Sequence, residues 1–195
     1  MKSPWPTEKL EEICEFIKKK IEDFDFEVRQ IYDKLVKPNW EKDGRRYYST
    51  LYGFMMYFFS IIDLLSAYEK GTEKKQTQTQ RMEEFLTHYL KYGPKESKLA
   101  VQIWRHKLIH TSEPRRLIGS KSNLKYYWLL HWSNNELPNE QNMRFQQSSD
   151  PKILNICLFS LIKDLKSNLG EYFKNLKFDK VEEYQKFLEN QKFYE

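Results

Sequence analysis

Apolar residues recur at three- and four-residue steps from Thr7 to about Lys37: Leu10, Ile13, Cys14, Ile17, Ile21, Phe24, Val28, Ile31 and Leu35, with Glu and Lys between them. That spacing predicts one long amphipathic helix, started by Glu8, Glu11, Glu12 and Glu15 and broken at Pro38-Asn39. A second helix is predicted over Arg45 to Lys70, ended by Gly71. Its centre, Gly53 to Leu65, is apolar nearly all round, which marks the central buried helix. Asp63 is the exception and requires a partner. It is read as a structural ion pair in preference to a group orienting Arg81 or Arg105. Thr72 to Gln80 reads as a polar linker. Thr79 to Tyr92 reads as a shorter helix closed by Gly93-Pro94, and Glu96 to about Thr111 as the next, stopped by Pro114.

Ser112 to Asp150 is less regular. Leu124 to Trp132 is aromatic and β-prone, Ser133-Asn134-Asn135 is turn-like, and Met143 to Gln146 is read as a returning strand. A small hairpin or irregular insertion is expected there. Asp150-Pro151 reads as a helix cap, opening an amphipathic helix through Ile153, Ile156, Cys157, Phe159, Ile162 and Leu165 to about Asn175. Asp179 and Glu182 form a candidate capping box for a last helix to about Gln191. The expected fold class is all-α: an antiparallel bundle of about five to six helices, residues 1–195 as one domain. Residues 1–40 hold the long N-terminal helix and 112–150 the insertion.

Composition sharpens this reading. Thirteen Phe, 13 Tyr and 5 Trp against 6 Gly imply a core packed by large side chains. Cys14 and Cys157 lack companions at metal-ligand spacing and read as small core residues in a reducing compartment. The N-terminus has no apolar signal segment, and the apolar run Leu51 to Leu65, about 15 residues with Asp63 inside it, is too short to span a bilayer. A cytoplasmic location without membrane association is expected. The net charge of +5 is uneven. Between Val101 and Tyr127 stand Arg105, Lys107, Arg115, Arg116, Lys121 and Lys125 against Glu113 alone, a local excess equal to that of the whole chain. Such a patch suits a polyanion, though it is also what an ordinary solvated surface looks like.

Inside that patch, Arg105, His106 and His110 lie within six positions. An arginine offers a permanent planar charge for phosphate oxygens, and a histidine exchanges protons near neutral pH. Together they suit metal-independent cleavage of RNA: His110 as base or acid, Arg105 on the phosphate, and the ribose 2′-hydroxyl as nucleophile. The bland alternative makes Arg105 an ion-pair partner and His110 a cation at a helix C-terminus. His106 and His110 stand four apart, but Arg105 and Lys107 would repel a metal, so neither a metal nor any other cofactor is expected and His106 is read as a polar helper. Lys107, Arg115 and Arg116 are candidate RNA contacts. Tyr126, Tyr127 and Trp128 are read as packing residues before stacking platforms. His88 and His131 read as surface or helix-boundary histidines.

The run Arg105-His106-Lys107-Leu108-Ile109-His110 resembles the R-x4-H signature of the HEPN superfamily, whose arginine is usually followed by a polar residue. Upstream, Arg81-Met82-Glu83-Glu84-Phe85 with Tyr89-Leu90 is similar to the "R-F-x-x-F" helix of one bacterial HEPN group. The resemblance covers roughly Tyr47 to Asn175. It implies a helical bundle, an endoribonuclease of a toxin, phage-defence or stress-response setting, a cognate antitoxin as partner, and a homodimer. A dimer would also answer a geometric limit, because on one helix positions 105 and 110 are about 140° apart and about 7.5 Å along the axis. Some members carry a Tyr two residues after the histidine, modified by a nucleotidyltransferase antitoxin. Ser112 stands there, after Thr111. The competing reading is a non-catalytic HEPN-like module that binds a nucleotide or a partner; a purely structural helical protein is a third.

Overall fold

The computed structural model describes residues 5–45, 47–71, 76–104, 117–118, 125–133, 144–145 and 152–189. The chain is mostly helical, and a mixed four-stranded sheet completes it. Helix α1 (Trp5–Ile31) buries Ile17, Ile21, Phe24 and Val28 as one stripe. It does not break at Pro38. A π turn (Tyr32–Val36) leads into α2 (Lys37–Asp43), which carries Pro38 in its first turn and ends at left-handed Gly44. A proline lacks an N–H and crowds the carbonyl four residues back, and the widened turn absorbs both.

Helix α3 (Tyr48–Lys70) is the centre of the core. Leu51, Met55, Phe58, Ile62 and Leu65 are fully buried beneath its neighbours. At 23 residues it exceeds the 15-residue run read from the sequence and is long and apolar enough to cross a bilayer. Its apolar faces are nevertheless covered by protein, which makes it a core helix. Gly71 ends it with a φ of 65°.

Thr77 caps α4 (Gln78–His88) through a full capping box with Gln80, and α5 (Pro94–Gln102) follows with Pro94 in its first turn. The rings of Phe85 on α4 and of Tyr89 just past its end meet Tyr172 of α6 (Leu158–Asn175) at 5.5 and 5.4 Å. The Tyr172 hydroxyl donates to the Leu65 carbonyl at 2.9 Å, fastening α6 to α3. Helix α7 (Phe178–Glu189) lies against α3, and Asp179, expected as its cap, sits inside the first turn, two residues past the cap position Lys177.

The sheet differs from the expected hairpin. Its strands are β1 (Leu117–Ile118), β2 (Lys125–His131), β3 (Arg144–Phe145) and β4 (Lys152–Cys157), in the order β1-β2-β4-β3. Strand β3 pairs with β4, and β2 pairs with β4 in parallel, Trp128 opposite Leu154 and Leu130 opposite Ile156. Lys152 to Cys157, expected as helix, is thus a strand, and α6 begins only at Leu158. Leu154, Asn155, Ile156 and Cys157 are buried in succession. A strand covered on both faces reads as a continuous apolar run, which a helical spacing mimics over six residues. Strand β2 alternates instead: Tyr126, Trp128 and Leu130 point inward, Tyr127 and Leu129 outward.

Candidate functional site

Arg105, His106, Lys107, His110, Arg115 and Arg116 all lie outside the described residues, which do contain both ends of the segment that carries them. On the upstream side, Ile103 and Trp104 continue α5 as a widened turn and are buried. The Trp104 indole N–H donates to the Met56 carbonyl at 3.3 Å, and its ring stacks on Phe59 at 6.1 Å. The residue before Arg105 is therefore fixed to the central helix. Downstream, Leu117 pairs with Tyr126 in an antiparallel ladder, so the residue after Arg116 is fixed to the sheet. The Lys95 ammonium lies 5.1 Å from the Tyr126 ring centre, which brings the start of α5 against the same strand.

Of the aromatic candidates, Tyr126 and Trp128 are core residues, and Tyr127 alone has substantial exposure, 39%. His131 is a correction: it is buried in the sheet, with its Nε2 3.3 Å from Asn155 Oδ1. His88 is at the surface, edge-on to Tyr89. Asp63 takes Arg81 as its ion-pair partner at 3.8 Å and also accepts from the Gln78 amide. Cys157 is fully buried, and burial together with Glu15 and Glu11 pushes the half-buried Cys14 thiol up.

No family model, curated protein or solved structure matches this chain. Site chemistry therefore rests on its own residues.

Two cavities stand out among the described residues. The larger, about 630 Å³, is an open groove between α3, α4 and α5 whose lining mixes Glu69, Glu83 and Glu84 with Lys70, His88 and Lys91. Burial raises the Glu83 carboxyl, with Lys98 pulling it down. Below this wall, burial and then the Glu69 charge push the Tyr89 phenol up to about 12. Opposite charges crowd this groove, and it favours no one ligand charge. The smaller, about 350 Å³, is lined by Arg29, Tyr32, Lys37, Ser133, Phe159, Ser160 and Lys163. It opens where β2 and β4 end and α6 begins. Sequence reasoning missed it, because its residues come from α1, the π turn, α2, the end of β2 and α6. The one local signal was a proline inside a helical pattern.

Proposed function

We propose that the chain is a metal-independent endoribonuclease of the HEPN type, built as an antiparallel helical assembly and acting as a homodimer in the cytoplasm. The observation that carries the reading is the spacing of Arg105 and His110 within the most basic stretch of the chain. The anchoring of Trp104 to α3 and of Leu117 to β2 supports it, because a catalytic segment must be held at both ends to orient its groups. In this reading His110 takes the proton from a ribose 2′-hydroxyl. That oxygen attacks the adjacent phosphorus, the 5′-oxygen of the next nucleotide leaves and takes a proton from solvent, and a 2′,3′-cyclic phosphate and a 5′-hydroxyl result. Arg105 holds the phosphate and offsets the charge that develops on it, while His106 bonds within the site. Lys107, Arg115 and Arg116 draw the RNA in. A second protomer supplies the other wall of the cleft. Growth arrest in bacterial defence or stress, restrained by a cognate antitoxin, is the setting that fits such an activity.

The test is cleavage of single-stranded RNA by the purified protein in excess chelator. Arg105→Ala and His110→Ala should each lower the rate by about 10²–10⁴-fold with the helical content unchanged. RNA or nucleotide binding without cleavage by the folded wild type would overturn the enzyme in favour of the binding module.

A further inference from the structure

The smaller cavity combines features that point to an anion. Its rim holds the exposed side chains of Arg29, Lys37 and Lys163, and among the described residues no carboxylate lines it. Beneath the rim lie the buried Ser133 and Ser160, with Tyr32 and Phe159 as an aromatic wall. The acid paired with Arg29 is shared with a second cation. Asp25 accepts from Arg29 Nε and from Lys166 Nζ, both at 2.7 Å, so Lys166 offsets it and the three rim cations remain in excess. The Arg29 guanidinium is held in place, 4.9 Å from the Phe159 ring centre, with about half of its side chain exposed.

The position of the cavity follows from the backbone. Lys37 N–H bonds to Tyr32 carbonyl, closing the π turn. In an α-helix residues five apart point about 140° away from each other. A turn closed five residues back returns them toward one face, which is how Tyr32 and Lys37 both reach the cavity. On the other side, Phe159 N–H donates to the Trp132 carbonyl at 3.1 Å, binding the start of α6 to the end of β2. The cavity thus lies beyond the carboxyl ends of two parallel strands, where open sheets with helices place their ligands.

We propose that this cavity binds the phosphate group of a small organic molecule of mononucleotide size. Three cations supply the charge and the serine-lined floor is polar. The volume falls at the lower end of the range for small-molecule sites, about 300–1,000 Å³. Arg29, Lys37 and Lys163 lie outside the basic segment assigned to RNA cleavage, so this inference stands apart from that reading.

The experiment titrates the full chain with adenosine 5′-monophosphate, adenosine and inorganic phosphate by calorimetry at low salt, with no RNA present. The probe variant is Lys37→Glu/Lys163→Glu, which alters two exposed side chains; its circular dichroism and Tm establish that it folds. Adenosine 5′-monophosphate should bind saturably, at least tenfold tighter than adenosine, and added salt should weaken it. The double variant should lose at least tenfold in affinity. Inorganic phosphate should compete; binding as tight as that of the nucleotide would assign the source to free phosphate and still uphold the anion site. Absence of saturable binding to the folded wild type, equal binding of adenosine, or an unchanged double variant would overturn the proposal.

Discussion

Trp104 and Met56 stand 48 positions apart in sequence, and the indole N–H of the first donates to the main-chain carbonyl of the second at 3.3 Å. That bond and the stacking on Phe59 tie the last turn before Arg105 to the most buried helix of the protein. Trp104→Phe keeps most of the packing and removes the donor, so a loss of about 0.5–1.5 kcal/mol is expected. Trp104→Ala empties the site and should cost about 3–5 kcal/mol. Denaturant unfolding measures both. If the endoribonuclease reading holds, RNA cleavage by Trp104→Phe falls further than its small stability change accounts for, since the anchor immediately before Arg105 is loosened.

Asp63 gives a second check on a polar group inside the core helix. Its carboxylate faces Arg81 at 3.8 Å, both side chains less than a quarter exposed, and it also accepts from Gln78. Asp63→Ala would leave a mostly buried Arg81 side chain without this partner, and about 1–3 kcal/mol of stability should go with it. Recovery of most of that loss in Asp63→Ala/Arg81→Met, measured as a double-mutant cycle, would identify the pair as structural. Full additivity would mean the two do not interact.

Gly71 closes α3 at a φ of 65°, and a Cβ built there would stand 2.6 Å from Glu183 Oε2 on α7. The carboxylate end can swing aside, so backbone strain dominates. Gly71→Ala is expected to cost about 1–3 kcal/mol. Replacement of Gly53, exposed in the middle of the same helix with no atom near its Cβ position, should instead stabilise by about 0.5–1 kcal/mol. The opposite signs, read by thermal unfolding, distinguish a required glycine from a dispensable one.

The contrast between these helices and the sheet explains what was legible beforehand. The stripe Ile17, Ile21, Phe24, Val28 and the all-round apolar centre of α3 are local patterns, and both appear where periodicity places them. So does strand β2. The partner of β2 is not local. Turn-like Ser133-Asn134-Asn135 suggested a return to Arg144-Phe145, whereas parallel pairing with Lys152–Cys157 depends on contacts no short window contains. Asp150-Pro151 then disguised β4, since a cap-like dipeptide before Ile153 and Ile156 looks the same ahead of a buried strand. His131 was misplaced for a related reason: its partner Asn155 is 24 residues away on the neighbouring strand. The R-x4-H run is a local pattern, legible as sequence alone.

Alkaline pH tests the aromatic centre of the fold. The Tyr89 phenol is pushed from its usual 10 up to about 12, by burial first and then by Glu69, and burial pushes Tyr172 up as well. A phenol that ionises later in the folded state than in the unfolded one binds more protons when folded. Stability from this source is complete below pH 10 and declines as pH rises toward 12. Tyr89→Phe should flatten that decline, and denaturant midpoints across the window measure it. An unchanged slope would mean that Tyr89 does not carry it.

Pro38 is the residue on which the geometry of the cation-lined cavity turns. It stands in the first turn of α2, immediately after the π turn that carries Tyr32 and ends next to Lys37. Pro38→Ala restores an N–H and removes the clash with the carbonyl four residues back, so nothing then requires the widened turn. The segment should relax toward α-helix, with stability unchanged or higher, since alanine is the better helix former. Relaxation rotates Lys37 away from Tyr32 by a large part of about 140° and takes one of the three rim cations off the cavity. The expected result is a protein at least as stable as the wild type that binds adenosine 5′-monophosphate several-fold more weakly. Amide hydrogen exchange over residues 32–43 reports the change of turn. If the π turn relaxes and affinity stays, Lys37 is not a ligand contact. If the π turn persists without proline, its cause lies in the packing of Val36 and Tyr32 against the core rather than in the missing N–H.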